Sequence, residues 1–428
     1  MFELPSRYPR LCAAVEEIRL IDTHEHLQSE QERLALGDRL DFSHLLSAYV
    51  HSDLVSAGMT PTSHDRIWTM DSMGQDEKWQ LIAPHWERIR HTGYAQAVRL
   101  TVQDVYGIDD LTVDTYRDVT AAMQAHNKPG VQRWLVQEKA GVEWCILHNP
   151  DGEGVIYRDN ADPKLFRQAL AINHFLAEKL PLAQFQVKTG IEPTSWEHFT
   201  AIMDWYFERY ADQAVAIKNN CPYWRSLRFD DVAPAQAAAV FTKGYLLSEP
   251  LTPAEVKLLQ DAAFHHCLRR ATDYDLPVQI HTGYQAGFRS LRVDWIRPTD
   301  LINLFRQYPQ VRFDLFHSGY PYQNEVAALV KNYPNVHVDL CWAWIIDPYA
   351  TRQALRSFIG AVPIHKVFGF GGDYGMADVV YGHARIARWG VAWALAEMAD
   401  EGYLTELEAV DIARRLLRDN ALAFFQLP

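Results

Sequence analysis

Several features that mark other classes of protein are missing from this sequence. Its 428 residues contain five cysteines, which lie far apart and form no CxxC pair, so neither a disulfide framework nor a cysteine zinc motif is expected. No apolar run approaches the roughly 20 residues of a membrane-spanning helix. The first residues contain no basic segment followed by an apolar run, which argues against a signal peptide. We therefore expect a cytoplasmic protein with reduced thiols and no membrane partner.

Positive charge is also scarce. The chain has 41 Lys and Arg against 54 Asp and Glu, a net charge of −13, and no basic run. Because nucleic-acid binding relies on cations that neutralise phosphates, no nucleic-acid partner is expected. Apolar residues make up 48% of the chain, enough for a large core. Aromatic residues make up 12% of the chain, which suits a pocket lined by aromatic rings, an oligomer interface or an aromatic-rich core. We expect a small-molecule substrate and a homo-oligomer.

Short apolar runs recur along the chain and alternate with helical patterns. The eight candidate strands are 18–24, 142–148, 185–189, 214–218, 277–281, 311–317, 335–340 and 366–373. Helical periodicity separates most of them, at 253–274, 299–308, 323–333 and 351–360. Eight strand–helix units favour a closed (β/α)8 TIM barrel of parallel strands over an open sheet.

Two segments are too long for a simple connection between strands. Residues 27–141 show helical periodicity and predict a helical insertion over the barrel mouth, after the first strand. Residues 219–252 form a second excursion, and 404–426 predict a closing amphipathic helix. No linker divides the chain, so we expect a single domain over 1–428.

The strongest local motif is the sequence DTHEH at 22–26. Alternate residues of a strand point to the same face, so His24 and His26 direct two imidazoles to one place. Neutral imidazoles are good ligands for zinc, iron, nickel or manganese. Taken alone, the pair also fits two surface histidines.

Four further candidate strands end in residues that can bind or assist a metal. The residues at these strand ends are Lys218, His281, His317 and Asp373. Each alone fits a hydrogen-bonded core or loop residue. Because the carboxyl ends of barrel strands meet on one face, the set together predicts a metal centre there.

This order of residues resembles the amidohydrolase superfamily. The resemblance is carried by QIHTGYQAG (279–287), by 297–322, by NVHVDLCW (335–342) and by GGDYGMAD (371–378). These stretches are similar to the amidohydrolase family that includes the domain fused to glutamine synthetase in nodulin-like proteins, and 216–227 resembles its fourth-strand pattern. The segment 45–59 resembles bacterial members and, more loosely, uronate isomerases.

The resemblance implies a role for each residue of the set. His24, His26, His281 and Asp373 are expected to bind a divalent metal, with zinc the expected ion. His317 is expected to bind a second ion or to hydrogen-bond the reacting group. Lys218 is expected either to be carboxylated and bridge two ions, or to stay an ammonium that holds a substrate carboxylate. The site is thus expected to hold one or two ions.

The resemblance also implies a reaction, the hydrolysis of an amide or ester bond in a small substrate. A bound metal lowers the pKa of its water to about 7 and polarises a carbonyl, and Asp373 would accept the proton and pass it to the leaving group. A uronate isomerase-like sugar-acid isomerase is one alternative, although those enzymes do not as a group use a strand-four lysine. A metal-dependent decarboxylase is another, and a catalytically silent barrel is a third, against which the intact ligand set argues.

Four residues on loops at the mouth are candidate substrate contacts. Arg289 follows the fifth strand, Tyr223 and Arg225 follow the fourth, and Trp342 follows the seventh. Each also fits a surface salt bridge or a packing aromatic. Arginines near the mouth of an acidic protein favour a substrate with a carboxylate, which a guanidinium binds through paired hydrogen bonds.

Overall fold

The computed structural model describes residues 4–69, 73–148, 157–158 and 161–428, and it contains a barrel of eight parallel strands. The strands follow one another around the sheet in chain order: β1 (Leu20–Glu25), β2 (Val142–Leu147), β3 (Phe166–Ala171), β4 (Ala214–Asn219), β5 (Val278–Ile280), β6 (Phe313–Leu315), β7 (Val336–Asp339) and β8 (Val367–Phe368). Beyond β8 the chain returns to β1, where Thr23 N donates to Phe370 O at 3.2 Å and Asp373 N to His24 O at 2.8 Å. The predicted (β/α)8 barrel is confirmed.

The third strand is the one that the sequence prediction placed wrongly. Residues 185–189 lie in the helix Leu182–Thr189, which ends at Gly190 with a φ of 75°. Glycine adopts this left-handed conformation without strain and commonly ends helices. In this helix Phe185 is buried while Val187 is 88% exposed, so the segment lacks the continuous burial of an inner barrel strand.

Helices connect the strands and build the insertion. In the described part of the chain the α-helices are Tyr8–Glu16, Glu30–Ala35, Val50–Ser56, Pro61–Thr69, Gln75–Ile89, Gly93–Asp104, Tyr116–Ala125, Val131–Arg133, Leu182–Thr189, Trp196–Tyr210, Pro234–Phe241, Pro253–Asp273, Ile302–Gln307, Gln323–Asn332, Ala343–Ile346, Pro348–Ala361, Val380–Asp400, Glu406–Arg414 and Asn420–Phe424. A π-helical turn, Arg415–Asp419, joins the last two, where a single helix was predicted. None of the described helices is both long and apolar enough to cross a membrane.

The helices between β1 and β2 occupy the predicted insertion, 27–141, of which residues 70–72 lie outside the described part. Phe42, Trp79 and Tyr116 form an aromatic cluster within it, with ring centroids 5.1–5.5 Å apart. Arg33 donates to both carboxylate oxygens of Asp378, at 3.0 and 2.7 Å, and both side chains are buried. This paired contact fastens the insertion to the segment after β8, beside the ends of the strands.

Candidate metal centre

The carboxyl end of β1 supplies two imidazoles. His24 and His26 lie on the same face of the chain, as their spacing predicts, and their Nε2 atoms are 3.1 Å apart. His24 is fully buried, whereas the His26 side chain is 33% exposed. Burial lowers the pKa of His24 well below its usual range, so this imidazole is neutral and has a lone pair to offer.

Asp373 approaches the two imidazoles from the segment after β8. Its Oδ1 lies 3.3 Å from His24 Nε2 and 3.2 Å from His26 Nε2. Burial alone would raise the pKa of Asp373, but the imidazoles outweigh it and hold that pKa well below its usual range. Asp373 is therefore a carboxylate, the form that binds cations.

Two glycines let the segment before Asp373 run close to β1. A Cβ on Gly372 would lie 1.9 Å from Glu25 Oε1, and one on Gly371 would lie 2.6 Å from Thr23 Oγ1. Gly372 N also donates to Asp22 Oδ1 at 2.9 Å. The GFGGD pattern therefore reflects a close approach of backbone to side chains, which leads the chain directly to Asp373.

His281 and His317, at the ends of β5 and β6, face each other. His281 Nε2 lies 2.8 Å from the carbonyl oxygen of Tyr284, and His317 Nδ1 lies 2.9 Å from that of Cys341. A carbonyl oxygen only accepts, so these two ring nitrogens carry the protons. The remaining nitrogens, His281 Nδ1 and His317 Nε2, are 3.0 Å apart and both carry lone pairs.

Two lone pairs at this separation repel each other unless a cation lies against both. Burial lowers the pKa of His317 to about 4 and that of His281 well below its usual range, so a shared proton is not available near neutral pH. A divalent metal fits this donor set, because it needs neutral imidazoles and an ionised carboxylate. His317 Nε2 is 3.8 Å from Asp373 Oδ2, which links this pair to the β1 histidines.

Lys218 lies at the end of β4 and is completely buried. Its Nζ lies 3.6 Å from the centroid of the Phe316 ring and has no hydrogen-bond partner among the described residues. Burial lowers the pKa of Lys218 to about 8. A substantial part of this amine is thus neutral near pH 8, and a neutral amine is nucleophilic.

The carboxyl groups deeper in the barrel differ from Asp373. Burial raises the pKa of Asp314 to about 8 and those of Glu25 and Asp339 well above their usual range. A protonated carboxyl is a poor metal ligand. Asp373 is therefore the carboxylate of this group best suited to bind an ion.

His148 joins the group although sequence reasoning assigned it no role. It follows β2, and one of its ring nitrogens lies within 4.8 Å of the ligand atoms of His24 and His26. Burial lowers its pKa well below the usual range. The available signal was the run VEWCILH, which ends in histidine as other ligand-bearing strands do. The sulfur of Cys341 lies within 4.8 Å of ligand atoms of His317 and Asp373, but burial raises the pKa of its thiol, so it is a weak ligand.

The predicted substrate contacts occupy different environments. Tyr223 packs on the ring of His281, with centroids 4.8 Å apart, and accepts a hydrogen bond from Ala286 N at 3.0 Å. Arg289 is exposed on the loop after β5. Arg225 is buried and donates to Asp261 Oδ1 at 2.6 Å, which gives its guanidinium a structural partner.

The aromatic wall beside Asp373 combines the barrel and the insertion. Trp342 is fully buried, with its ring centroid 5.1 Å from that of His317 and 4.6 Å from that of Tyr49. Tyr49 belongs to the insertion, and its hydroxyl donates to the carbonyl oxygen of Asp373. Sequence reasoning missed Tyr49, because no local pattern connects it to a residue more than 300 positions away.

Together these features define a (β/α)8 barrel with a candidate metal centre at the carboxyl ends of its strands. The sequence model of the amidohydrolase family matches residues 205–427, just over half of the chain. The chain belongs to the amidohydrolase family.

A curated relative and two solved structures extend this comparison. The chain is 27% identical over 159 residues to Protein fluG of Emericella nidulans, a match that covers 37% of this chain and 18% of that protein. Its fold is similar to that of uronate isomerase from Thermotoga maritima, with a TM-score of 0.82, 15% identity, and 99% and 98% of the two chains covered. Glucuronate isomerase from Caulobacter crescentus gives a TM-score of 0.79, 18% identity, and coverage of 99% and 96%.

Proposed function

We propose that this protein is a metal-dependent hydrolase that cleaves an amide or ester bond in a small, carboxylate-bearing substrate. The observation that carries the proposal is the donor set at the strand ends. Four imidazoles and one ionised carboxylate meet there, burial keeps His24, His281 and His317 neutral, and two of the imidazoles direct lone pairs at each other. Such a set favours a divalent cation, for which we propose zinc.

His24, His26 and Asp373 would hold one ion, and His281 and His317 would hold a second. An ion bound in this way supplies Lewis acidity, which makes a water molecule a better nucleophile and polarises a substrate carbonyl. The low pKa of Asp373 keeps this carboxyl ionised, so it can accept a hydrogen bond from that water, and we propose that it takes up the proton as the water attacks. The same carboxyl would then return the proton to the leaving nitrogen or oxygen as its bond to the acyl carbon breaks.

Lys218 is the residue that would allow two ions to share the site. We propose that its neutral amine adds to carbon dioxide, forming an N–C bond and releasing one proton to water. The product is a carbamate anion with two oxygens, which can bridge two cations where an ammonium cannot. The complete burial of Lys218 and the absence of a hydrogen-bond partner for its Nζ among the described residues support this proposal.

The substrate would enter beside the exposed edge of His26. Tyr223, which packs on His281 and is 40% exposed, would contact it, and the exposed Arg289 would pair with its carboxylate. Trp342 would form the apolar wall. We leave Arg225 out of this set because Asp261 already engages its guanidinium.

The test is a turnover assay on zinc-loaded protein with N-acyl amino acids, γ-glutamyl amides and uronates. Hydrolysis of an acyl or glutamyl substrate is expected, and it should be lost in Asp373→Asn while folding is retained. Full turnover by Asp373→Asn would refute the role of this carboxylate. Activity confined to uronates would replace the hydrolase with the second candidate.

That second candidate is an isomerase of sugar acids. The observation in its favour is that the similarity to uronate isomerase covers 99% of this chain, including the helical insertion at the mouth. At 15% identity this similarity establishes the fold alone, so the choice rests on the site. The buried Lys218 at the end of β4 favours the hydrolase.

A further inference from the structure

His148 lies level with the two histidines of β1. Leu147 pairs with Glu25 in the parallel register of β1 and β2, and His148 N donates to Glu25 O at 2.8 Å. The residue that follows this pair on β2 therefore lies beside His26 at the mouth. The ring centroid of His148 is 5.5 Å from that of His24 and 5.2 Å from that of His26.

The His148 ring makes few polar contacts for a side chain that is completely buried. Its Nδ1 has no hydrogen-bond partner in the described residues, and its Nε2 is 3.5 Å from Asn173 Nδ2, at the outer limit of a hydrogen bond. Asn173 Oδ1 accepts from Asn220 N at 2.8 Å, so the amide nitrogen of Asn173 faces His148. An amide nitrogen only donates, so Nδ1 of His148 carries the ring proton and Nε2 carries the lone pair, which the long 3.5 Å contact leaves largely unused.

Buried polar atoms in folded proteins nearly always have a partner, and those that lack one need an explanation. One ring nitrogen of His148 lies within 4.8 Å of the ligand nitrogens of both His24 and His26. We propose that His148 is a third imidazole ligand of the ion held by His24 and His26. This inference rests on the metal binding in the proposed function and adds a ligand from β2 to it.

The consequence is that the two ions would depend on different residues. His24, His26, His148 and Asp373 are four protein ligands, which is the number that a tetrahedral zinc ion takes. With these four ligands the ion would stay bound even when Lys218 carries no carbamate to bridge the two ions. The second ion, at His281 and His317, would depend on the carbamate.

His337 provides a matched control. It is also a buried histidine on a barrel strand, and its Nδ1 has no hydrogen-bond partner within the described ranges. The centroid of its ring lies 4.5 Å from that of Phe424, in the last helix. His337 belongs neither to the cluster of His24, His26 and His148 nor to that of His317, Cys341 and Asp373. Replacing it therefore removes a buried imidazole without touching the metal centre.

The experiment compares zinc binding by wild type, His148→Phe and His337→Phe, using competition with a chromogenic chelator after all metal has been removed. Loss of a group that only orients a ligand costs about 10–100-fold in affinity, so loss of a direct ligand should weaken the tighter site at least about 100-fold. His337→Phe should match wild type. A change below about tenfold in a folded His148→Phe would overturn the proposal, and so would unchanged zinc affinity with a raised KM.

X-ray absorption on wild type carrying one equivalent of zinc tests the same point without a substitution. Three imidazoles around the ion are expected, and two would overturn the assignment of His148. If wild type binds no zinc, the proposed function and this inference both fail. If wild type binds zinc and His148→Phe binds it equally well, the inference alone fails.

Discussion

Gly372→Ala is expected to damage the metal centre through a single methyl group. The added Cβ would lie 1.9 Å from Glu25 Oε1 and 3.1 Å from Asp22 Oδ2, far inside van der Waals contact. Glu25 cannot retreat freely, because its Oε2 accepts a hydrogen bond from Tyr374 N at 2.7 Å. The backbone on either side of Asp373 must move instead. Overpacking of this kind typically costs about 1–3 kcal/mol of stability.

The same displacement should weaken zinc binding, because Asp373 is the next residue and its Oδ1 lies 3.3 Å from His24 Nε2 and 3.2 Å from His26 Nε2. Gly375→Ala is the matched control on the same segment. The nearest atom to its added Cβ would be His26 O at 3.9 Å, an ordinary contact. Denaturant unfolding and zinc titration of both variants make the test. If the two variants have the same stability and the same zinc affinity, the close approach of Gly372 to Glu25 does not support the metal centre, and the reasoning is refuted.

Three further outcomes are expected. Tyr49→Phe, which removes the hydroxyl that donates to the Asp373 carbonyl, should lower kcat about tenfold with zinc content unchanged, and an unchanged kcat would contradict the positioning role. Lys218→Met should reduce bound zinc from two ions to one by elemental analysis, whereas a wild type that holds a single ion would contradict carboxylation. His337 has a pKa lowered by burial to about 3 against about 6.5 in the unfolded chain, so protons bind preferentially to the unfolded state between these values. The free energy of unfolding should therefore fall as pH drops below about 6.5, by up to about 1.4 kcal/mol per pH unit for this group. His337→Phe should make the free energy of unfolding, measured in urea between pH 4 and 7, less dependent on pH.

The barrel could be predicted because most of its strands are short apolar runs that alternate with helical patterns along the chain. The error at β3 shows the limit of that signal. Residues 185–189 have the composition of a strand, but the helix that contains them exposes Val187 and ends at Gly190. Phe166–Ala171 was overlooked because its Arg and Gln interrupt the apolar pattern, although five of its six residues are buried. Packing against neighbouring strands determines which of these two segments is β3, and a single sequence does not show that packing.

The metal centre was predictable to the extent that its residues lie at strand ends. His24, His26, His281, His317 and Asp373 have this property, and the structure brings them together. Their roles as ligands, like that of Lys218, stay predictions. The role of Arg225 as a substrate contact also stays a prediction, and in the structure its guanidinium pairs with Asp261. Tyr49 could not have been found, because its contact depends on how the insertion folds back over the mouth.

The most direct test of the account is the zinc content of the protein after metal removal and reloading, measured for wild type and for the double variant His24→Ala, His26→Ala. Two zinc ions per chain are expected in wild type. At most one is expected in the variant, because the remaining ion position depends on other strands. Wild type that retains no zinc, or a variant that retains as much as wild type, would contradict a metal centre at the ends of these strands.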